Sequence, residues 1–425
     1  MTMKPFLPLL LLLTLGPNAL AQEPDADFSV LRAELRALTQ RLDALEAANQ
    51  GLREENDRLA ARQGQSSAAQ AGPSQNNDPA RQPSSGSAST AWAERIRLKG
   101  DFRMRYENID EAGRDGRNRD RVRARAAIIA AVNDDVEVGL GLASGGDDPV
   151  STNQTLGGGG STKDLRLDLA YFKWSGPAHT SIYGGKFKNP LYKPGGHGLL
   201  WDGDWTPEGL GLAWARGDYF LNLLGTWLES DSRNESEFSW ATQAGFSKSL
   251  GSGATLTAGL GFHHFGTAGK GTFYGDDDDF FGNSFDPASL SYLHDYDELE
   301  LFADLGFKIN GRPAGLFLNY VQNLDADTFD TGYAAGFKYG SASAQGGWEF
   351  AYAYQDLEAD AAFALLADSD FGGGGTDARG HLLKGGYGIA KNWKASLTYF
   401  INERQANAGN QHDYDRLQLD LGFKY

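Results

Sequence analysis

The 425-residue chain contains no cysteine. This excludes a disulfide scaffold, a thiolate metal site and a cysteine nucleophile. Positive charge is also short: 39 lysines and arginines stand against 56 acids, a net charge of −17. Such a chain is a poor match for nucleic acid. Beyond the first fifteen residues no apolar run is long enough to cross a bilayer as a helix. Catalytic signatures are missing too. There is no G-x-S-x-G and no H-E-x-x-H. The glycine runs Gly157 to Gly160 and Gly372 to Gly375 do not continue into Gly-Lys-Ser/Thr, as a phosphate loop would. The sequence therefore implies neither an enzyme nor a cofactor.

What is present starts with an address. Lys4, the apolar run Phe6 to Leu15 and the small-x-small site Ala19-Leu20-Ala21 make residues 1–21 a secretory signal peptide, cut before Gln22. Its removal leaves a mature charge of −18. Residues 22–62 carry heptads. Phe28, Leu35, Leu42, Asn49 and Asn56 occupy one seam position, and Leu31, Leu38, Leu45, Leu52 and Leu59 the other. That spacing predicts a short α-helical coiled coil, roughly 40 Å long, and hence a homo-oligomer. Asparagine at the first seam position favours two strands. Residues 63–91 are Gln, Ser, Ala, Gly, Asn and Pro with few apolar groups, a flexible linker.

From residue 92 to 425 the chain alternates. The last stretch, Tyr414 to Tyr425, places Leu417, Leu419, Leu421 and Phe423 on one strand face and Arg416, Gln418, Asp420 and Lys424 on the other. Sixteen such segments recur, joined alternately by short turns and long connections such as 145–162, 188–206, 265–295 and 357–378. The 55 glycines and 50 aromatic residues suit strands with one greasy face. The fold expected is all-β: a 16-stranded antiparallel transmembrane β-barrel preceded by the coiled coil. An even strand number puts both barrel ends on the short-turn, periplasmic side, where the coiled coil would lie. Closure requires the strand beginning near Glu94, with its Arg95-Arg97-Lys99 face, to pair with the last one.

Alternation also assigns faces. Arg97, Arg103 and Arg105 oppose Leu98, Phe102 and Met104, and Arg121, Arg123 and Arg125 oppose Val122 and Ala124. Arginine facing lipid at mid-bilayer costs about 2–4 kcal/mol, so these six basic residues are expected to line the lumen. Their charges need either water and carboxylates across a pore, or wall acids such as Asp101, Glu107 and Asp120. The connection Asn189 to Gly209 offers Asp202, Asp204 and Glu208, anchored by Leu199, Leu200, Trp201 and Trp205. Tucked inward, it would narrow the lumen and set a transverse field against the arginines.

Other features suggest no site. Asp276 to Asp279 and Asp147-Asp148 lack the spacing of a calcium loop and read as solvated external loops, able at most to bridge to anionic lipopolysaccharide through divalent ions. His263 and His264 are strand neighbours and point to opposite faces, so they do not share a metal.

The succession GLASGGDDPVSTNQTLGG (from Gly141), DLRLDLAYFKW (from Asp164), YGGKFKNPLY (from Tyr183) and LLWDGDWTPEGL (from Leu199) resembles the "putative porin" family of Gram-negative outer-membrane proteins. The similarity spans about Arg95 to Tyr425. It implies a sixteen-stranded diffusion porin, usually trimeric, whose inward-folded third loop falls at 189–209. It implies no catalytic residue and no cofactor. The function expected is a water-filled outer-membrane channel for small hydrophilic solutes and ions, set in lipid and lipopolysaccharide. The alternative is a tethering protein whose coiled coil links an anchoring barrel to periplasmic partners.

Overall fold

The computed structural model describes residues 93–234, 236–251 and 253–425. The signal peptide, the coiled coil and the linker expected before residue 92 lie outside the described residues. Sixteen strands form one barrel: β1 (Ile96–Glu111), β2 (Arg117–Ala131), β3 (Val136–Ser144), β4 (Leu165–Gly176), β5 (Thr180–Lys186), β6 (Glu208–Arg216), β7 (Tyr219–Glu229) and β8 (Glu237–Gly251) make the first half. The second half is β9 (Ala254–Phe265), β10 (Tyr296–Ile309), β11 (Arg312–Asn323), β12 (Thr331–Gly340), β13 (Trp348–Leu357), β14 (Ala378–Ala390), β15 (Trp393–Arg404) and β16 (His412–Lys424). Each strand pairs antiparallel with its sequence neighbours, and β1 closes the ring against β16.

At the seam Asp101 stands opposite Lys424 and Glu111 opposite Tyr414. The Gly100 and Tyr425 backbones exchange two hydrogen bonds of 3.0 Å. Residues 96–99 pair with β2 alone, so the Arg95-Arg97-Lys99 face expected beside the last strand overhangs it. Gly100 has a steric reason to be glycine. A Cβ there would lie 2.4 Å from the Tyr425 ring.

Alternation produces the outer surface. Leu98, Leu140, Leu165, Leu210 and Leu260 are each more than half exposed, as expected of side chains that meet acyl chains. Aromatic residues gather where the strands leave the apolar band. Trp393 stacks on Phe423 at the turn end, and Trp227 meets Phe238 edge-on at the loop end. These two groups occupy the positions of interfacial girdles.

The barrel has an apolar core inside its loop-side mouth. Connections 187–207, 266–295 and 358–377 pack together there. Leu199, Trp201, Phe280, Phe363 and Leu366 are buried against Leu224, Phe265, Tyr296, Val321 and Leu357 of the wall. The buried wall residues of this cluster come from β7 to β13, so these loops cover that side of the mouth. The opposite side, β1, β2 and β16, carries the charge. Loop 145–164 also contributes a two-residue strand, Gln154–Thr155, which continues the pairing of β2 where β3 ends.

Candidate functional site: an arginine wall with two docked loops

On the inward face of β1 and β2 four pairs stand directly opposite: Asp101 with Arg125, Arg103 with Arg123, Arg105 with Arg121, and Glu107 with Arg119. The neighbouring Phe102 and Met104 are 39% and 48% exposed on the outer face, whereas Arg105 is 4% exposed. Like charges directly opposite each other disfavour a strand pair, so the two central arginine pairs need anions from elsewhere.

The wall supplies part of this. Asp101 accepts from Arg123 Nη2 at 2.9 Å and Arg125 Nε at 2.8 Å. Glu107 accepts from Arg119 Nε at 2.6 Å and from Arg416 Nε at 3.0 Å. Asp420 of β16 accepts two bonds from Arg105, at 2.7 and 2.9 Å. Asp120 does not take part, being exposed and between two inward-facing arginines in the strand. Arg97 lies near the turn end, paired with Glu137 at 2.6 Å.

Two loops supply the rest. Asp204 accepts from Arg125 Nη1 at 2.9 Å, from Arg123 Nη1 at 3.4 Å and from Thr152 Oγ1 at 2.8 Å. Burial alone would raise its carboxyl, but Arg123 and Arg125 outweigh this and hold it below its ordinary value. Asp370, on loop 358–377, lies 3.1 Å from Arg105 Nη1 and 2.6 Å from Arg416 Nη2. Burial is again outweighed there, by Arg416 and Arg105, and the carboxyl is held down. The arginines and loop acids thus touch directly instead of facing each other across open water.

The other two acids of the expected set have different jobs. Asp202 accepts from the Ser369 backbone N–H and hydroxyl, both at 3.0 Å, and so ties loop 187–207 to loop 358–377. Burial, Asp368 and Asp204 push its carboxyl up to about 7. Glu208 is the first residue of β6, not part of the loop, and its partner is Lys186 at 2.7 Å. It has the strand parity of outward-facing Leu210, which removes it from the arginine wall. Trp201, Trp205, Leu199 and Leu200 are all less than a tenth exposed within the apolar cluster.

A family model described as "Putative porin" matches residues 109–291 and 283–425. The chain belongs to this family. No curated protein matches the porin's sequence. Among solved structures, Pseudomonas putida OprB superposes with a TM-score of 0.53 at 12% identity, covering 80% of this chain and 96% of that one. At that identity the likeness shows the fold. A loop-deletion mutant of OmpT from Vibrio cholerae gives 0.46 at 13%, over 78% of this chain and 100% of that one. A triple mutant of Rhodopseudomonas blastica porin gives 0.45 at 12%, over 78% and 100%. Barrel, family and surface place the porin in the outer membrane as a channel for passive diffusion rather than an enzyme.

Two cavities lie along the porin's arginine wall. One, of about 340 Å³, opens among the loops and is bordered by Arg119, Arg121, Arg416 and Asp148. The other, of about 520 Å³, lies deeper, between Arg103, Arg123, Lys338 and Lys384 on the wall and Gly195 to Gly198 on the loop. Ser369 and Asp370 border both. Loop 358–377 is the part that sequence reasoning missed. Its signal was the run AAFALL from Ala361 to Leu366, an apolar stretch out of place in a loop facing water.

The remaining motifs have local roles. His263 is 2% exposed, lies 3.4 Å from Glu300 and meets the Trp201 ring at a tilt. His264 pairs instead with Asp297 at 2.6 Å. Asp279 accepts from the Asp276 backbone N–H in a local turn. Among the described residues no group of three or more His, Asp or Glu is placed to hold a metal ion.

Proposed function

We propose that this porin is sieved jointly by loops 187–207 and 358–377, and that it passes small hydrophilic solutes with a weak preference for anions. The observation that carries this reading is the position of Ser369 and Asp370, which border both cavities beside Arg105 and Arg416. Asp204 reduces the positive field at Arg123 and Arg125, and Asp370 does so at Arg105. The surplus of arginine on β1, β2 and β16 leaves the field positive, while the acidic outer loops favour cations at the mouth. Weak rather than strict selectivity follows.

In this reading Arg97, Arg103, Arg105, Arg121, Arg123 and Arg125 line the pore, Asp204 is the constriction-loop acid, and no cofactor or metal takes part. The barrel sits among lipid and lipopolysaccharide. Leu31, Leu35, Leu38, Leu42, Leu45, Leu52 and Leu59 assemble a homo-oligomer, with a trimer favoured, through a periplasmic coiled coil. Planar-bilayer recording of the purified, folded protein tests the reading. Stepwise conductance is expected, with a reversal potential in a KCl gradient displaced modestly toward that of chloride. Absence of conductance would leave the tethering alternative, and clear cation preference would refute the part given to the arginines.

A further inference from the structure

Arg121 differs from the other arginines of the wall. Its side chain is 12% exposed. Its Nε, like that of Arg103, is buried with no hydrogen-bond partner, but Arg103 donates through Nη2 to Asn153 and Arg121 donates to nothing among the described residues. The carboxylate in reach, Glu107 Oε1, is 3.8 Å away and already accepts from Arg119 at 2.6 Å. Arg105 faces it across the strands but is held by Asp420 and Asp370. Among the described residues Arg121 makes no hydrogen bond, and its one ion pair is the long contact with Glu107, although a largely buried guanidinium without hydrogen bonds is costly.

The space beside it is open. Arg121 borders the loop-side cavity of about 340 Å³, the lower end of the range of ligand-sized pockets. Six arginines and four carboxylates border it. Three of the acids have partners of their own. Glu111 is taken by Arg114 and Arg404, and Asp370 by Arg105 and Arg416. Asp148 turns one oxygen to the Val150 backbone N–H at 2.9 Å. Arg117 at the rim is exposed. A guanidinium fork matches a planar carboxylate or a phosphate two bonds at a time, so the missing partner of Arg121 has the chemistry of a small oxyanion.

We propose that this cavity is a binding site for a small oxyanion solute, a carboxylate or phosphate, seated on Arg121 with Arg117 at its entrance. The site rests on the porin reading and deepens it. A solute held here would be concentrated just outside the constriction formed at Ser369 and Asp370. Exchange between Arg121 and the neighbouring arginines would then carry it inward.

The test is bilayer recording of the full-length protein in KCl, with succinate, inorganic phosphate or glucose added on the loop side. Succinate or phosphate is expected to reduce the chloride current saturably, and glucose to leave it unchanged. Block by succinate alone marks a carboxylate site and block by phosphate alone a phosphate site; either supports the proposal. Arg121→Gln should raise the half-blocking concentration at least fivefold. Arg117→Gln, at an exposed position that cannot unfold the barrel, should raise it about twofold. Arg216→Gln, at the turn end, should not change it. A conducting channel that neither oxyanion blocks, or one blocked equally well after both Arg121→Gln and Arg117→Gln, overturns the site while the pore stands. A folded protein that never conducts overturns the porin reading and the site with it.

Discussion

Arg105 and Arg121 face each other in direct register across β1 and β2, yet Arg105 is hydrogen-bonded to two carboxylates, Asp420 on the next strand and Asp370 on a loop, while Arg121 has only Glu107 at 3.8 Å. The two arginines should therefore respond unequally to removal. Arg105→Ala leaves Asp420 without its hydrogen-bonded cation and takes one of two from Asp370, which keeps Arg416, and should cost about 3 kcal/mol, the order found when one member of a buried ion pair is lost. Arg121→Gln removes a charge whose one ion pair, with Glu107, is long and shared with Arg119 and Arg416, and should cost less than about 1 kcal/mol. Urea unfolding of the detergent-solubilised barrel, followed by the gel mobility of the folded band, measures both. Equal losses would mean that Arg121 has a structural partner.

Loop 358–377 is held by packing as well as charge. Phe363 is 1% exposed and contacts Phe265, Tyr292 and Tyr296. Phe363→Ala should weaken docking by about 3–5 kcal/mol without opening the strands. If this loop narrows the lumen, single-channel conductance should rise and become noisier. An unchanged conductance would place the constriction elsewhere.

Docking should also depend on pH, because Asp202 joins the two loops. Its carboxyl lies at about 7 in the folded protein, against about 4 in an unfolded chain. Between those values the folded state binds more protons. The docked arrangement is therefore strongest at the acid side of the interval and weakens as pH rises to about 7, by up to about 1.4 kcal/mol per pH unit. Asp204 acts the other way. Its depressed value means that its contribution is present above the ordinary carboxylate range and is lost as pH falls through the folded value. Docking should be tightest near pH 4 to 5. Current noise should fall between pH 8 and pH 5, and Asp202→Asn should flatten that response. A slope of the same size in Asp202→Asn would assign the effect to another group.

The strands were legible because alternation is local. Leu417 and Arg416 declare opposite faces by adjacency, and the same rule places Arg105 inside and Met104 outside. The loop contacts were not legible, because they depend on distant pairing. Asp420 meets Arg105 across 315 positions of sequence, and nothing near Asp370 announces that it will lie between Arg105 and Arg416. Glu208 falls at a loop–strand boundary, which composition places only to within a few residues. That small shift changed its neighbourhood from the arginine wall to Lys186. The apolar run at Ala361 was visible, but its meaning depended on two other loops folding to the same place.

The N-terminal segment carries heptads read from sequence alone. Leu31, Leu38, Leu45, Leu52 and Leu59 hold one seam position without interruption. Asn49 and Asn56 at the other set register at some expense of stability. If the seam assembles barrels and takes no part in conduction, deleting residues 28–59 should lower the oligomeric state seen by cross-linking. The conductance of each barrel should stay unchanged, because the arginine wall and both docked loops lie within residues 96–425. Loss of all conductance on deletion would mean that the segment is needed to form the pore, and the modular division at residue 92 would fail. An unchanged oligomer would move the contacts that join the barrels to their outer walls, where the exposed leucines of β1, β4 and β6 would be the surfaces to substitute next.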